Sequence, residues 1–158
     1  MRKSVARVLA LLLLLATACS SGFESDALGV RWTPPKAFSL ESQQAGPPAA
    51  ANFSPGLELR RVDLKLPIPE ETNVGALLEQ IREAAGVPTG AELVSARVGS
   101  IPAGSVARYE LKQRSERFLV YVLPKGEQSL LLTLRAEEGR FSQLQNALER
   151  SLTTLKVR

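Results

Sequence analysis

Residues 118–134 read Phe118-Leu119-Val120-Tyr121-Val122-Leu123-Pro124-Lys125-Gly126-Glu127-Gln128-Ser129-Leu130-Leu131-Leu132-Thr133-Leu134, two apolar runs joined by a proline-glycine turn. Successive side chains of a strand point to opposite faces, so a run that is apolar in both phases needs cover on both sides. Pro124 is preset for an early turn position and Gly126 is free to close the turn. The stretch therefore predicts an antiparallel hairpin in the middle of a sheet that is buried on both faces.

The chain upstream of the hairpin extends the sheet. In Ser105–Lys112, Ala107, Tyr109 and Leu111 face one way and Arg108, Glu110 and Lys112 the other, the mark of one covered and one wet face. Glu92–Ile101 reads as a further strand, turned back at Pro102-Ala103-Gly104, and Arg114-Ser115-Glu116 makes the next turn. Between 57 and 66, Leu57 and Leu59 fall in one phase and Val62, Leu64 and Leu66 in the other, which predicts a bulge or break near Arg60-Arg61. Two helices complete the pattern. Val74, Leu77, Leu78, Ile81 and Ala85 form an apolar stripe that Thr72 or Asn73 can cap and that Gly86 and Pro88 stop. From Gly139 or Arg140 to Leu155, Phe141, Leu144, Leu148, Leu152 and Leu155 form a second stripe. Closer to the N-terminus, Gly29–Thr33 reads as a short strand halted by Pro34-Pro35, with Trp32 packing the edge of the core. Residues 43–56, rich in Ala, Pro and Gly, read as a flexible loop.

Hairpins call for antiparallel pairing, and two-sided strands with two amphipathic helices call for a helix on each face. The expected class is α+β: an antiparallel sheet of about five to six strands in a three-layer α/β/α sandwich. The element order, the Trp32-Thr33-Pro34-Pro35 start and the closing Ser151-Leu152-Thr153-Thr154-Leu155 resemble the Mog1/PsbP-like proteins over Gly29 to Val157. The resemblance implies the fold. It carries over no functional residue, because one fold hosts unrelated functions.

The N-terminus reads as an export signal. Arg2, Lys3 and Arg7 precede the apolar run Val8–Leu15, which is too short to span a bilayer, and Ala16-Thr17-Ala18-Cys19 supplies small residues before a cut site. Leu15–Cys19 resembles the lipobox of bacterial lipoproteins, whose cysteine is acylated and becomes the new N-terminus; an ordinary secretory signal cut after Ala18 is the alternative. The expected organisation is a signal peptide at 1–18, a lipidated tether at 19–28 and one domain at 29–158. Ser20, where aspartate would favour the inner membrane, implies the periplasmic face of the outer membrane in a Gram-negative source.

Composition narrows the chemistry. The 158 residues carry 20 Lys+Arg and 16 Asp+Glu, but three basic residues leave with the signal, so 17 basic side chains face 16 acidic ones. This balance offers no case for nucleic acid. There is no histidine, and Cys19 is the only cysteine. The commonest general base, the commonest metal ligand and any thiol beyond the anchor are thereby removed, and no cofactor or metal is expected. Glu70-Glu71 and Glu137-Glu138 read as acidic residues set against helix N-termini.

The expected function is a membrane-tethered, non-enzymatic envelope lipoprotein that binds a second envelope protein as an accessory module. Its candidate contact surfaces are the basic cluster Lys112, Arg114 and Arg117 at one hairpin tip and the 43–56 loop; Glu110 and Glu116 interleave the cluster, so a solvated turn is the competing reading. The alternative is a carrier of a small apolar ligand or lipid, with Trp32, Phe118 and Tyr121 lining a pocket between sheet and helix. An enzyme working through Glu92 and Glu110 ranks last.

Overall fold

The computed structural model describes residues 22–158. In chain order these form β1 (Phe23–Ser25), β2 (Val30–Trp32), β3 (Ser39–Gln44), β4 (Ala50–Ser54), β5 (Leu57–Val62), α1 (Leu78–Ala85), β6 (Glu92–Ile101), β7 (Gly104–Gln113), β8 (Glu116–Lys125), β9 (Gln128–Glu137) and α2 (Glu138–Ser151). A 3-10 turn, Leu152–Thr154, then leads to β10 (Lys156–Val157).

The two-sided hairpin is β8–β9, and it lies where its pattern demands. The main sheet runs β3-β4-β5-β9-β8-β7-β6, antiparallel throughout, with β9 and β8 inside it. Leu119, Tyr121, Leu132 and Leu134 feed one core together with Phe141, Leu144 and Leu148 of α2. Phe118, Val120, Val122 and Leu131 feed a second core together with Leu66, Val74 and Ile81.

The expected five to six strands with a helix on each face are corrected on both counts. The main sheet has seven strands, and a second, three-stranded sheet in the order β1-β2-β10 stands beside it. Among the described residues α2 is the longer helix, and it packs on β8 and β9. The opposite face is covered by a largely irregular segment, Leu66 to Ala91, of which eight residues are α-helix. Pro67, Pro69 and Pro88 cannot donate to a helical ladder, and they bound the stretch in which a helix can form. Gly86 ends α1 in the left-handed conformation at φ 68°, as its position in the sequence predicts. Asn73 does not cap α1: its side chain closes an earlier turn, accepting from the Glu70 amide and donating to the Ile68 carbonyl. Since α1 starts at Leu78, Glu79 and not Glu70-Glu71 occupies its first turn.

Three further expectations change. No bulge interrupts β5, which pairs with β9 in one register from Leu57 to Val62. Both phases find cover, Leu57 and Leu59 in the first core and Val62 against the second, so no register slip is needed. The stretch 43–56, expected as a loop, is partly strand. It holds the end of β3, a turn through Pro47-Pro48, and β4, whose Ala50, Ala51 and Phe53 are buried. Small alanines let this strand lie close under the small sheet, where the Phe53 ring meets Phe23 edge-on at 5.2 Å and Trp32 at 5.6 Å. The tether expected at 19–28 is folded from Phe23 onward, with Phe23 buried and Leu28 fully so. Cys19 and the signal segment lie outside the described residues.

Trp32 is core, as its place before the double proline predicts. It is 1 % exposed and its indole N–H donates to the Ser151 carbonyl at 3.2 Å, tying β2 to the end of α2.

Candidate functional site

The chemically richest surface runs along the β7–β8 hairpin where it emerges beside α2. The register sets Arg108 against Tyr121, Glu110 against Leu119 and Lys112 against Arg117. The polar phase of β7 therefore lies on the α2 side of the sheet, next to the helix edge that carries Glu138, Gln145 and Glu149. A continuous ladder of charges results. Glu149 accepts from the Arg108 Nε at 3.1 Å and from the Tyr121 hydroxyl at 2.9 Å. Glu110 pairs with Arg108 at 3.6 Å and with Arg117 at 2.7 Å. Glu138 closes the series by accepting from Lys112 at 2.9 Å and Arg117 at 3.2 Å. These hydrogen bonds, that from Lys112 first, hold the Glu138 carboxyl below the usual carboxylate range. The Arg117 guanidinium also lies over the Phe141 ring, 5.8 Å from its centre.

Of the three basic residues singled out in the sequence, Lys112 and Arg117 meet on Glu138, while Arg114 stands apart, exposed at the hairpin tip. Arg114 has φ 55°, the only positive φ at a non-glycine position among the described residues. The left-handed region costs an L-residue about 1 to 2 kcal/mol. At the β4–β5, β6–β7 and β8–β9 turns the positive-φ residue is a glycine: Gly56, Gly104 and Gly126. Next to Arg114, the Ser115 carbonyl accepts from the Glu138 amide at 2.8 Å, so the tip is fixed to the start of α2.

Sequence reasoning missed Arg108, Glu138 and Glu149. Their meeting depends on how α2 docks, which no local pattern states. One signal was present: Glu138, Gln145 and Glu149, spaced by seven and four, share one stripe of the helix. The other candidate groupings come apart. Trp32 and Tyr121 belong to the first core, whereas Phe118 is on the opposite face of the sheet, where it borders a cleft of about 380 Å³ with Asn52, Glu58, Arg60 and Thr133. These three aromatics thus line no common pocket. Glu92 stands opposite Lys112, and Glu110 is occupied by two arginines, so the two carboxylates do not face one another.

Two buried phenols lie on the two faces of this hairpin, Tyr121 under α2 and Tyr109 on the opposite side. The Tyr109 hydroxyl donates to the Val74 carbonyl at 2.6 Å, and burial pushes both Tyr109 and Tyr121 up to about 12. The unfolded chain releases these protons near pH 10 and the folded chain does not, so their stabilising contribution is present below pH 10 and is lost as pH rises towards 12. The urea midpoint is expected to fall across that window. In Tyr109→Phe the fall should be shallower, on top of a loss of about 1 to 3 kcal/mol at neutral pH from the orphaned Val74 carbonyl; parallel slopes for the two proteins would contradict this.

The seven-stranded antiparallel sheet, the small sheet and the long C-terminal helix define a PsbP-like α+β fold. The solution structure of cyanobacterial PsbP (CyanoP) from Synechocystis sp. PCC 6803 is similar to this chain with a TM-score of 0.58, covering 87 % of this chain and 92 % of that one at 13 % identity. At that identity the likeness is one of fold. No protein-family model and no curated protein matches the chain in sequence.

Proposed function

We propose that this chain is a membrane-tethered, non-enzymatic accessory module of the bacterial envelope, which binds a second envelope protein through the β7–β8 tip. Arg114 carries the reading. An arginine stands at a backbone position of the kind that glycine fills more easily at three other turns, and local strain that a simple substitution would remove points to a use for the side chain. Lys112 and Arg117 are largely neutralised by Glu110 and Glu138, so the tip presents chiefly the Arg114 charge, and its partner should offer a carboxylate. In this reading the lipid sits on Cys19, and the location is the periplasmic face of the outer membrane if the source is Gram-negative. Neither cofactor, metal nor nucleic acid is involved.

Arg114→Gly separates recognition from folding. It relieves the left-handed strain, so stability should hold or rise by up to about 1 kcal/mol, while a partner crosslinked to the wild-type chain in envelope membranes should be lost. Lys125→Glu, at the β8–β9 turn, should leave that crosslink intact. Equal capture by wild type and Arg114→Gly would reject the tip as the contact. The anchor has its own test in labelled palmitate, which should mark the wild type and not Cys19→Ser.

A further inference from the structure

The small sheet β1-β2-β10 has an inner and an outer face. Phe23, Val30 and Trp32 point into the core, which leaves Glu24 of β1, Arg31 of β2 and Lys156 of β10 in one outward row, Glu24 opposite Arg31 and Arg31 opposite Lys156. Arg158 joins the row by donating to Glu24 at 2.6 Å. The same Glu24 carboxylate receives Arg31 at 3.0 Å, and Asp26 pairs with Arg158 at 3.2 Å. Two arginines thus share two carboxylates, and the third cation of the row, Lys156, has no acidic partner among the described residues. Arg31 and Arg158 keep more than half of their side-chain surface open, so their guanidinium groups can take up further acceptors.

The position of this face relative to Cys19 gives it a use. Phe23, the first residue of β1, is four residues beyond Cys19. A chain extends by at most about 3.6 Å per residue, so a lipid on Cys19 lies within about 14 Å of β1. The folded domain has a radius of gyration of about 14 Å. A tether this short relative to the body cannot hold the domain clear of the lipid surface, and the elements next to β1 must meet that surface first.

We propose that the outer face of the small sheet is a membrane-docking surface on which Arg31, Lys156 and Arg158 engage the phosphate groups of anionic phospholipids. The proposal rests on the lipid anchor at Cys19. The rest of the fold then has a defined orientation. The small sheet packs through Phe23 and Trp32 on Phe53 of β4, on the face of the main sheet that also carries α2. The segment containing α1 covers the opposite face. With layers about 10 Å apart, α1 is directed away from the membrane, some 20 Å further out.

The test uses the full lipidated chain in vesicles of phosphatidylethanolamine and phosphatidylglycerol. Acylation blocks Cys19, so Ala27→Cys, exposed at the β1–β2 turn, and Gln80→Cys, exposed on α1, each provide one reactive thiol for a fluorophore and leave the three cations in place. A quencher on the lipid headgroups should quench the label at 27 about threefold or more relative to the label at 80. That contrast should shrink in purely zwitterionic vesicles. Equal quenching at the two positions overturns the orientation, and a contrast that ignores lipid charge overturns the cationic contact. Palmitate incorporation is measured on the same preparations. Its absence would sink the anchor and this proposal together, whereas palmitate present with equal quenching would sink the proposal alone.

Discussion

Leu148→Ala is expected to lower the free energy of unfolding by about 3 to 5 kcal/mol, read as a fall in urea midpoint at unchanged slope. Leu148 is fully buried at the centre of the α2 stripe, between Leu144 and Leu152, and it packs on a sheet whose strands are held on both sides by their neighbours. Such a floor cannot rise to fill a cavity, so both the lost transfer free energy and the void contribute. A domain of this size is stable by about 5 to 15 kcal/mol, and one truncated leucine would remove a large part of that. Asn146→Ala, on the exposed side of the same helix, should stay within about 0.5 kcal/mol. Equal costs for the two variants would mean that α2 is not docked as described.

Gly56→Ala should cost about as much, for a different reason. Gly56 has φ 75°, and its carbonyl accepts from the Arg135 amide at 2.8 Å, which brings the β4–β5 turn against β9 backbone to backbone. A Cβ on Gly56 would run into the Arg135 carbonyl oxygen, an atom fixed in the sheet. The left-handed backbone alone costs about 1 to 2 kcal/mol, and relieving the collision means displacing a strand, for a total of about 3 kcal/mol or more. Gly86→Ala is the matched control: it has φ 68° with nothing within 4 Å of the added carbon, so only the conformational part of the cost remains. Thermal or urea unfolding of the pair isolates the collision. Similar losses in both would show that the close approach at Gly56 has been overstated.

The centre of the fold was legible because burial on both faces leaves a mark on every residue. Phe118 to Leu134 showed it directly, and Phe141, Leu144 and Leu148 showed the α2 face by their spacing. The periphery was harder to read because its strands are short and their cover is supplied from far away. Ala49 and Ala51 look like loop composition until Phe23 and Trp32 are placed beside them, and Phe23 looks like tether until Trp32 pairs with it. The phase change near Arg60 was real, but a strand covered on both faces absorbs it without a bulge. For the candidate site, Lys112, Arg114 and Arg117 were visible as a local run. What separates them is tertiary: Glu138 arrives from the next element and neutralises two of the three, and the backbone angle of Arg114 is written in no side-chain pattern.

The bond from Trp32 to Ser151 joins groups 119 residues apart, and β10 reaches β2 from similarly far along the chain. Contacts that close such long loops form slowly and late. β2 is therefore expected to gain its cover over Val30 and Trp32 only when α2 and β10 have been delivered. Trp32 is the single tryptophan of the chain, so its fluorescence is an optical clock for that last closure, while circular dichroism follows the large sheet. A lag between the two signals during refolding would time the interval in which the sheet that begins at Phe23 is still open.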